Sequence, residues 1–254
     1  MPPPSYQANR GLGGWLLALA VFCGGASPAG ASNLQVRPTL LMVPAAQHAA
    51  GLTLSNLSDE PFQAQVRVFA WRQADGEDIL ETTNDVVVSP PMLRIEPGRE
   101  QLVRVVRQRT PPLAQEASYR LLVDEIPGAR PAQAPEGTGL RFVLRYSIPV
   151  FLSPPAQSAV RPVLHTRLVT EDGQPTLVLD NTGSAHAQVA ELAYTDARQG
   201  TQVIRAGLAG YLLPGQSRRW RLPAALSLSD EGAFQARING ELTPRTLAPV
   251  SVLR

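Results

Sequence analysis

Lysine is missing from this chain: all 23 basic residues are arginine. Any site that holds an anion by charge must therefore use a guanidinium, whose planar fork grips both oxygens of a carboxylate. Cysteine occurs once, at Cys23, inside an N-terminal segment that reads as removable. Thiol chemistry and thiolate metal sites are thereby excluded from the mature protein, and no disulfide staples it, so core burial alone must hold the fold. Charge is scarce as well, at 17 % of residues with a net of +2, which leaves no broad basic field for nucleic acid. Helical periodicity is absent over any ten residues, and beyond the first 31 positions no apolar run is long enough to cross a bilayer. The mature chain is expected to be soluble, with no membrane insertion.

What is present is turn chemistry and alternation. Twenty-four prolines and 20 glycines accompany 44 % hydrophobic residues in 254 positions, the make-up of a turn-rich globular protein of two domains. The start, with Arg10, the run "GWLLALAVFCGG" and small residues ending Ala29, Gly30, Ala31, reads as a secretory signal over residues 1–31, cut before Ser32. Its apolar run is about a dozen residues against the roughly 20 of a membrane span, and bulky Phe22 ahead of Cys23 argues against a lipoprotein.

Short alternating segments then recur about every ten residues: "NLQVRPTLLMV", "GLTLSNL", "FQAQVRVFAW", "DVVVSP", "EQLVRVVRQ", "SYRLLVDEI" and a last, longer one. Turn clusters such as "NLSDEP", "QADGED" and "EPGRE" divide them. Seven strands at this spacing predict an antiparallel sandwich of immunoglobulin type over residues 32–154. After the break "SPPAQSAVRP", a second set ("VLHTRLVT", "PTLVLDN", "AQVAELAYT", "TQVIRAG", "GYLLP", "QSRRWRLP", "GAFQARING") predicts another β-sandwich over residues 155–254. The fold class is all-β, two immunoglobulin-like sandwiches in tandem.

No catalytic set emerges. His48, His165 and His186 lie far apart with no second ligand type at metal spacing, and read as ordinary surface or turn histidines. Asp124 and Glu125 are neighbours in a strand and point to opposite faces, and no serine sits in a nucleophile elbow. The chain is expected to be no enzyme and to need no cofactor. The arginine-rich "SRRWR" reads as a solvated face with Trp220 turned inward.

The last segment of the first domain is unusual. In "GTGLRFVLRYSIPVFLSPP", Leu140, Phe142, Leu144, Tyr146, Ile148, Val150 and Leu152 share one parity, so they line one face of a strand over residues 140–152. Pro149 lacks a backbone donor and suits a sheet edge. "SYRLLVDEI" precedes this strand across a loop, so the two should form a hairpin with Arg120 at the end where the domains join. From the residues alone, an anchor for an anion and a structural ion pair are equal readings of Arg120.

"VVVSPPMLRIEPGREQLVRVV", "SYRLLVDEIPG" and the strand ending "FLSPP" resemble the N-terminal domain of periplasmic pilus chaperones of the chaperone-usher pathway. "LVLDNTGSAHAQV" and "YLLPGQSRRW" are similar to that family's second domain. The resemblance implies two immunoglobulin-like domains set like a boomerang. It also implies a periplasmic location, pilus or fimbrial subunits and an outer-membrane usher as partners, and a last strand lent to a subunit that lacks its own. Leu140, Phe142, Leu144 and Tyr146 would fill the subunit's groove.

The best-known members hold the subunit's terminal carboxylate with an arginine in the first strand and a lysine in the last. Here Leu40 and Pro149 align with those positions, and neither binds an anion. "SYRLLVDEIP" is more similar to the archaic, spore-coat-U-like branch. There the anchor is an arginine in the penultimate strand, which carries the role to Arg120, with Arg145 and Arg141 as further candidates. Two other classes stand beside this reading: an exported structural or adhesive β-sandwich subunit, and a hydrolase on a sandwich scaffold.

Overall fold

The computed structural model describes residues 34–108, 114–127, 143–154, 160–197, 200–229 and 232–247, with the backbone of 251–252. The signal segment, Leu140, Arg141 and Phe142 lie outside these. Every regular element among the described residues is a strand.

The first ten strands are β1 (Leu34–Arg37), β2 (Leu41–Val43), β3 (Ala49–Asn56), β4 (Phe62–Ala74), β5 (Glu77–Thr82), β6 (Val86–Ser89), β7 (Met92–Ile95), β8 (Glu100–Arg107), β9 (Ala117–Glu125) and β10 (Arg145–Leu152). They form two sheets, ordered β1-β3-β8-β6 and β2-β10-β9-β4-β5, with β7 also pairing β4. Alternation makes the core. Leu52, Leu54, Val103 and Val105 come from one sheet and Val66, Leu121, Val123, Ile148, Val150 and Leu152 from the other, all buried in one cluster.

Three features differ from the strands read off the sequence. "NLQVRPTLLMV" is two strands in two sheets: it breaks after Arg37, Leu34 and Val36 serve the first sheet, and Leu41 and Val43 serve the second. "QADGED" holds the two-residue turn Asp75-Gly76, both at positive φ, and the hairpin it closes carries the extra strand β5. Strand β7, Met92–Ile95, is a further addition.

The second sandwich contains β11 (Leu164–Glu171), β12 (Gln174–Asn181), β13 (Ala187–Asp196), β14 (Gly200–Leu212), β15 (Ser217–Arg221), β16 (Ala233–Ile238), β17 (Arg245–Thr246) and β18 (Ser251–Val252). Its sheets run β15-β12-β11-β18 and β14-β13-β16-β17. "TQVIRAG" and "GYLLP" are a single strand, β14, because register shifts in its ladder with β13 absorb the glycines at 207 and 210 that break the pattern. Trp220 is turned into this core with Leu177, Leu179, Leu212 and Phe234.

Candidate functional site

Strand β10 is asymmetrically paired. Along one edge it runs antiparallel to β9 from Arg145↔Asp124 to Leu152↔Ala117. Along the other it meets β2, in parallel, only at Val150–Leu152. Among the described residues, Arg145–Pro149 thus has no strand on that edge. Such an edge offers unpaired backbone groups to an added strand. The inward row Ile148, Val150, Leu152 belongs to this molecule's own core. Tyr146 is drawn into the same sandwich: its ring packs against the core and its hydroxyl donates to the Leu34 carbonyl at 2.8 Å. It is therefore only partly available to a partner. Leu144 is half-buried, Val143 is 55 % exposed, and Glu125 N–H donates to the Leu144 carbonyl at 3.0 Å. The strand expected over residues 140–152 begins, within the described residues, at Arg145.

The outward face of this sheet carries a different chemistry. Pairing aligns Phe69, Arg120 and Pro149 across β4, β9 and β10, and two pairs along, on the same face, Phe151 lies beside Ser118. Arg120 lies over Trp71, its guanidinium carbon 3.6 Å from the ring centre and 5.2 Å from that of Tyr211 in the second domain. Its side chain is 12 % exposed, and Asp78 Oδ2 stands 3.7 Å from its terminal nitrogen, longer than a hydrogen bond. Burial lowers its pKa from the usual arginine value, and Asp78 pushes it back up. Arg120 thus lies at the domain junction, as the hairpin geometry predicts, and the ion pair exists but is loose.

Around it the two domains meet. Trp71 and Phe151 from the first domain cluster with Tyr211 and Leu213 from the second, and Leu40 packs against them. Phe151 stacks on His186 with ring centres 3.5 Å apart and planes 3° from parallel. Buried Glu116 accepts both the backbone N–H of His186 at 3.0 Å and its Nδ1 at 2.7 Å. Gln73 spans the seam too, donating to the Tyr211 carbonyl at 2.9 Å and accepting Leu213 N–H at 3.0 Å. His186 is thus not the surface or turn histidine expected: an aromatic face and a carboxylate hold it inside the seam. A cleft of about 330 Å³ opens beside these residues, between Arg72, Gln73, Glu116 and Tyr119 on one side and Leu213 and Gln216 on the other.

The other expected anchors lie elsewhere. Arg145 is exposed and shares Asp124 with Arg67, whose contact is 2.6 Å. The two guanidiniums outweigh the upward push of burial, which is the largest single effect, and leave the Asp124 carboxyl below its usual range. Four residues of β9 separate Asp124 from Arg120, roughly 13 Å at about 3.3 Å per residue, so Arg145 and Arg120 do not converge. Arg141 falls outside the described residues. Leu40 packs on the aromatic cluster and Pro149 is buried opposite Arg120, so neither aligned position presents a cation. Gln73, Asp78, Glu116 and His186 were not singled out as site residues. Nothing in their local sequence marks them, because only tertiary packing brings them together.

The model of the PapD N-terminal domain family, described as pili and flagellar-assembly chaperones, matches residues 33–158, the whole of the first sandwich. The chain belongs to this family. Solved structures of similar fold extend the likeness over both domains of this PapD-type chaperone. A chain of the CsuC–CsuE chaperone–tip adhesion subunit pre-assembly complex, from archaic chaperone-usher Csu pili of Acinetobacter baumannii, is 22 % identical with a TM-score of 0.69, over 88 % of this chain and 100 % of that one. A chain of the Salmonella enterica complex of SafA pilin with the SafB chaperone is 20 % identical with a TM-score of 0.60, over 85 % and 96 %. The Pseudomonas aeruginosa CupB2 chaperone is 16 % identical with a TM-score of 0.57, over 84 % and 97 %. No curated protein matches this chaperone by sequence.

Proposed function

We propose that this protein is exported through its N-terminal signal to the periplasm. There it acts as a non-enzymatic chaperone that folds and caps pilus or fimbrial subunits by donor-strand complementation and passes them to an outer-membrane usher. The observation that carries this reading is the open edge of β10 at Arg145–Pro149. Leu140, Phe142 and Leu144 continue, at strand parity, the row that Ile148 and Val150 begin in the core. Running past Tyr146, where the molecule's own core ends, they would complete the core of a partner lacking a strand. Three such side chains contribute about 5–9 kcal/mol gross at about 1.5–3 each, before ordering costs.

Arg120 is the proposed anchor for the subunit's terminal carboxylate, the role that the resemblance to the archaic branch carries to it. It lies directly across the ladder from Pro149, the position at which better-known members carry their lysine, so a guanidinium one strand over supplies the missing cation. Co-expression with candidate subunits is expected to give a one-to-one complex, and Phe142→Asp with Leu144→Asp to abolish it. Stable subunits recovered with that double variant would refute the donor role. Arg120→Ala should weaken capture by about 1.5–3 kcal/mol, the value of a charge-assisted contact. Arg94→Ala is the control, since Arg94 is exposed and pairs with Glu96 away from the site. Equal binding by the two variants would remove the anchor assignment.

A further inference from the structure

Arg120 already has a carboxylate beside it. Asp78, on the β4–β5 hairpin, brings Oδ2 to 3.7 Å from the guanidinium, while its Oδ1 accepts from Gln73 Nε2 at 2.9 Å. The same Gln73 amide is fixed at both ends by the second domain, through the Tyr211 carbonyl and the Leu213 N–H. Asp78 is thus held in place by a side chain that is itself immobilised, at a distance too long for a charge-assisted hydrogen bond to Arg120. Its neighbours on the sheet behave otherwise: Arg67 closes on Asp124 at 2.6 Å, and Arg72 Nε reaches Glu81 at 3.0 Å. A carboxylate approaching Arg120 with freedom to align could form two short parallel bonds, which Asp78 does not.

Exposure separates the two partners as well. The arginine side chain is 12 % exposed and the aspartate 40 %. If Asp78 loses its cation, water can solvate it, whereas Arg120, largely buried over Trp71 with Tyr211 to one side, needs an anion at that place. An ion pair with one solvated partner is weak and exchangeable.

We propose that Asp78 is a built-in placeholder at the Arg120 site. It neutralises the guanidinium and keeps it over Trp71 in the free protein, and it is displaced when a partner's C-terminal carboxylate arrives. Gln73 is the residue that positions Asp78. This rests on the assignment of Arg120 as anchor. The placeholder stabilises the empty site and weakens stray anions, so only a carboxylate delivered together with an apolar strand captures the arginine. Affinity for a carboxylate alone is the quantity that Asp78 lowers.

The test uses the full mature chain and two synthetic probes, an N-acetylated hexapeptide of alternating valine and threonine with a free C-terminal carboxylate and the same peptide amidated. Both are titrated by calorimetry into the parent protein, Asp78→Asn, Asp78→Ser and Arg120→Gln, each checked for an unchanged melting profile. Asp78→Asn and Asp78→Ser are expected to bind the free carboxylate roughly three- to tenfold tighter than the parent, with no change for the amide. The Arg120 side-chain Nε–H resonance should shift in the variants toward its position in the peptide-bound parent. Carboxylate-dependent binding that Arg120→Gln abolishes, but that the Asp78 variants leave unchanged or weaken, overturns the placeholder and leaves the anchor standing. No preference for the carboxylate over the amide in any form of the protein overturns both.

Discussion

Arginine has to serve every cationic role in this chain, and its residues divide by the company they keep. Arg145 and Arg67 converge on Asp124, and the carboxyl is held below its usual range although burial opposes this. A carboxylate whose folded pKa is depressed contributes stability above the unfolded value, about 3.9, and that contribution is lost as pH falls through the folded value. Asp124→Asn should therefore lower stability at pH 7 by about 1 kcal/mol, since Arg145 is exposed and Arg67 partly so. The deficit should shrink as pH falls below the unfolded value and the parent aspartate takes up its proton, and urea unfolding at about pH 7 and in acid checks it. An equal deficit at both would mean that the contribution is packing rather than charge. The same commitment is why Arg120 rather than Arg145 is proposed as the carboxylate anchor. That distinction is not legible in the sequence: the ion-pair partner of Arg120 comes from β5, a strand hidden in what reads as a turn, and the two rings nearest its guanidinium, Trp71 and Tyr211, come from different domains.

At the scale of the element, period-two alternation carried most of the fold, because each strand has one face in a core and one outside. It found β8, β9 and β12 nearly to the residue. It failed where alternation continues across a change of sheet, as in β1 and β2, or through bulges, as in β14, since pairing partners rather than parity set those boundaries. Strand β10 is the instructive case: its parity is unbroken, yet the ladder divides its residues between two uses. Ile148 is 4 % exposed in the home core, and Leu144 lies past Tyr146 at the margin. Ile148→Ala should cost about 3 kcal/mol in the free protein by leaving a cavity, whereas Leu144→Ala should cost less than about 1. Only the second should reduce subunit capture without lowering the melting temperature. If Leu144→Ala destabilises the free chain as much as Ile148→Ala, the residue belongs to this molecule's own core, and the lent segment must be sought nearer Leu140.

The whole molecule depends on how its two sandwiches are joined, since Arg120 of the first domain lies against Tyr211 of the second. Domains in one chain move relative to each other unless their interface is substantial and apolar. This interface combines a small aromatic cluster, Trp71, Phe151, Tyr211 and Leu213, with polar ties: the Gln73 amide, the bond from Glu116 N–H to the Ser184 carbonyl at 2.9 Å, and buried Glu116 on His186. Glu125 accepts Leu144 N–H at 3.0 Å within the first domain, so the buried carboxylate tie across the seam is the Glu116–His186 contact. His186 is the member whose loss removes both an apolar and a polar tie, the stack on Phe151 and the bond to Glu116. His186→Ala should weaken the domain contact by about 1–3 kcal/mol, the penalty for leaving a buried carboxylate short of a partner, while each sandwich keeps its own core. Small-angle scattering should then show a broader distribution of maximum dimension, calorimetry should resolve two transitions where the parent gives one, and subunit capture should fall although β10 and Arg120 are untouched. An unchanged scattering profile with a single transition would show that the aromatic cluster alone fixes the domains, and that Glu116 and His186 are passengers in the seam.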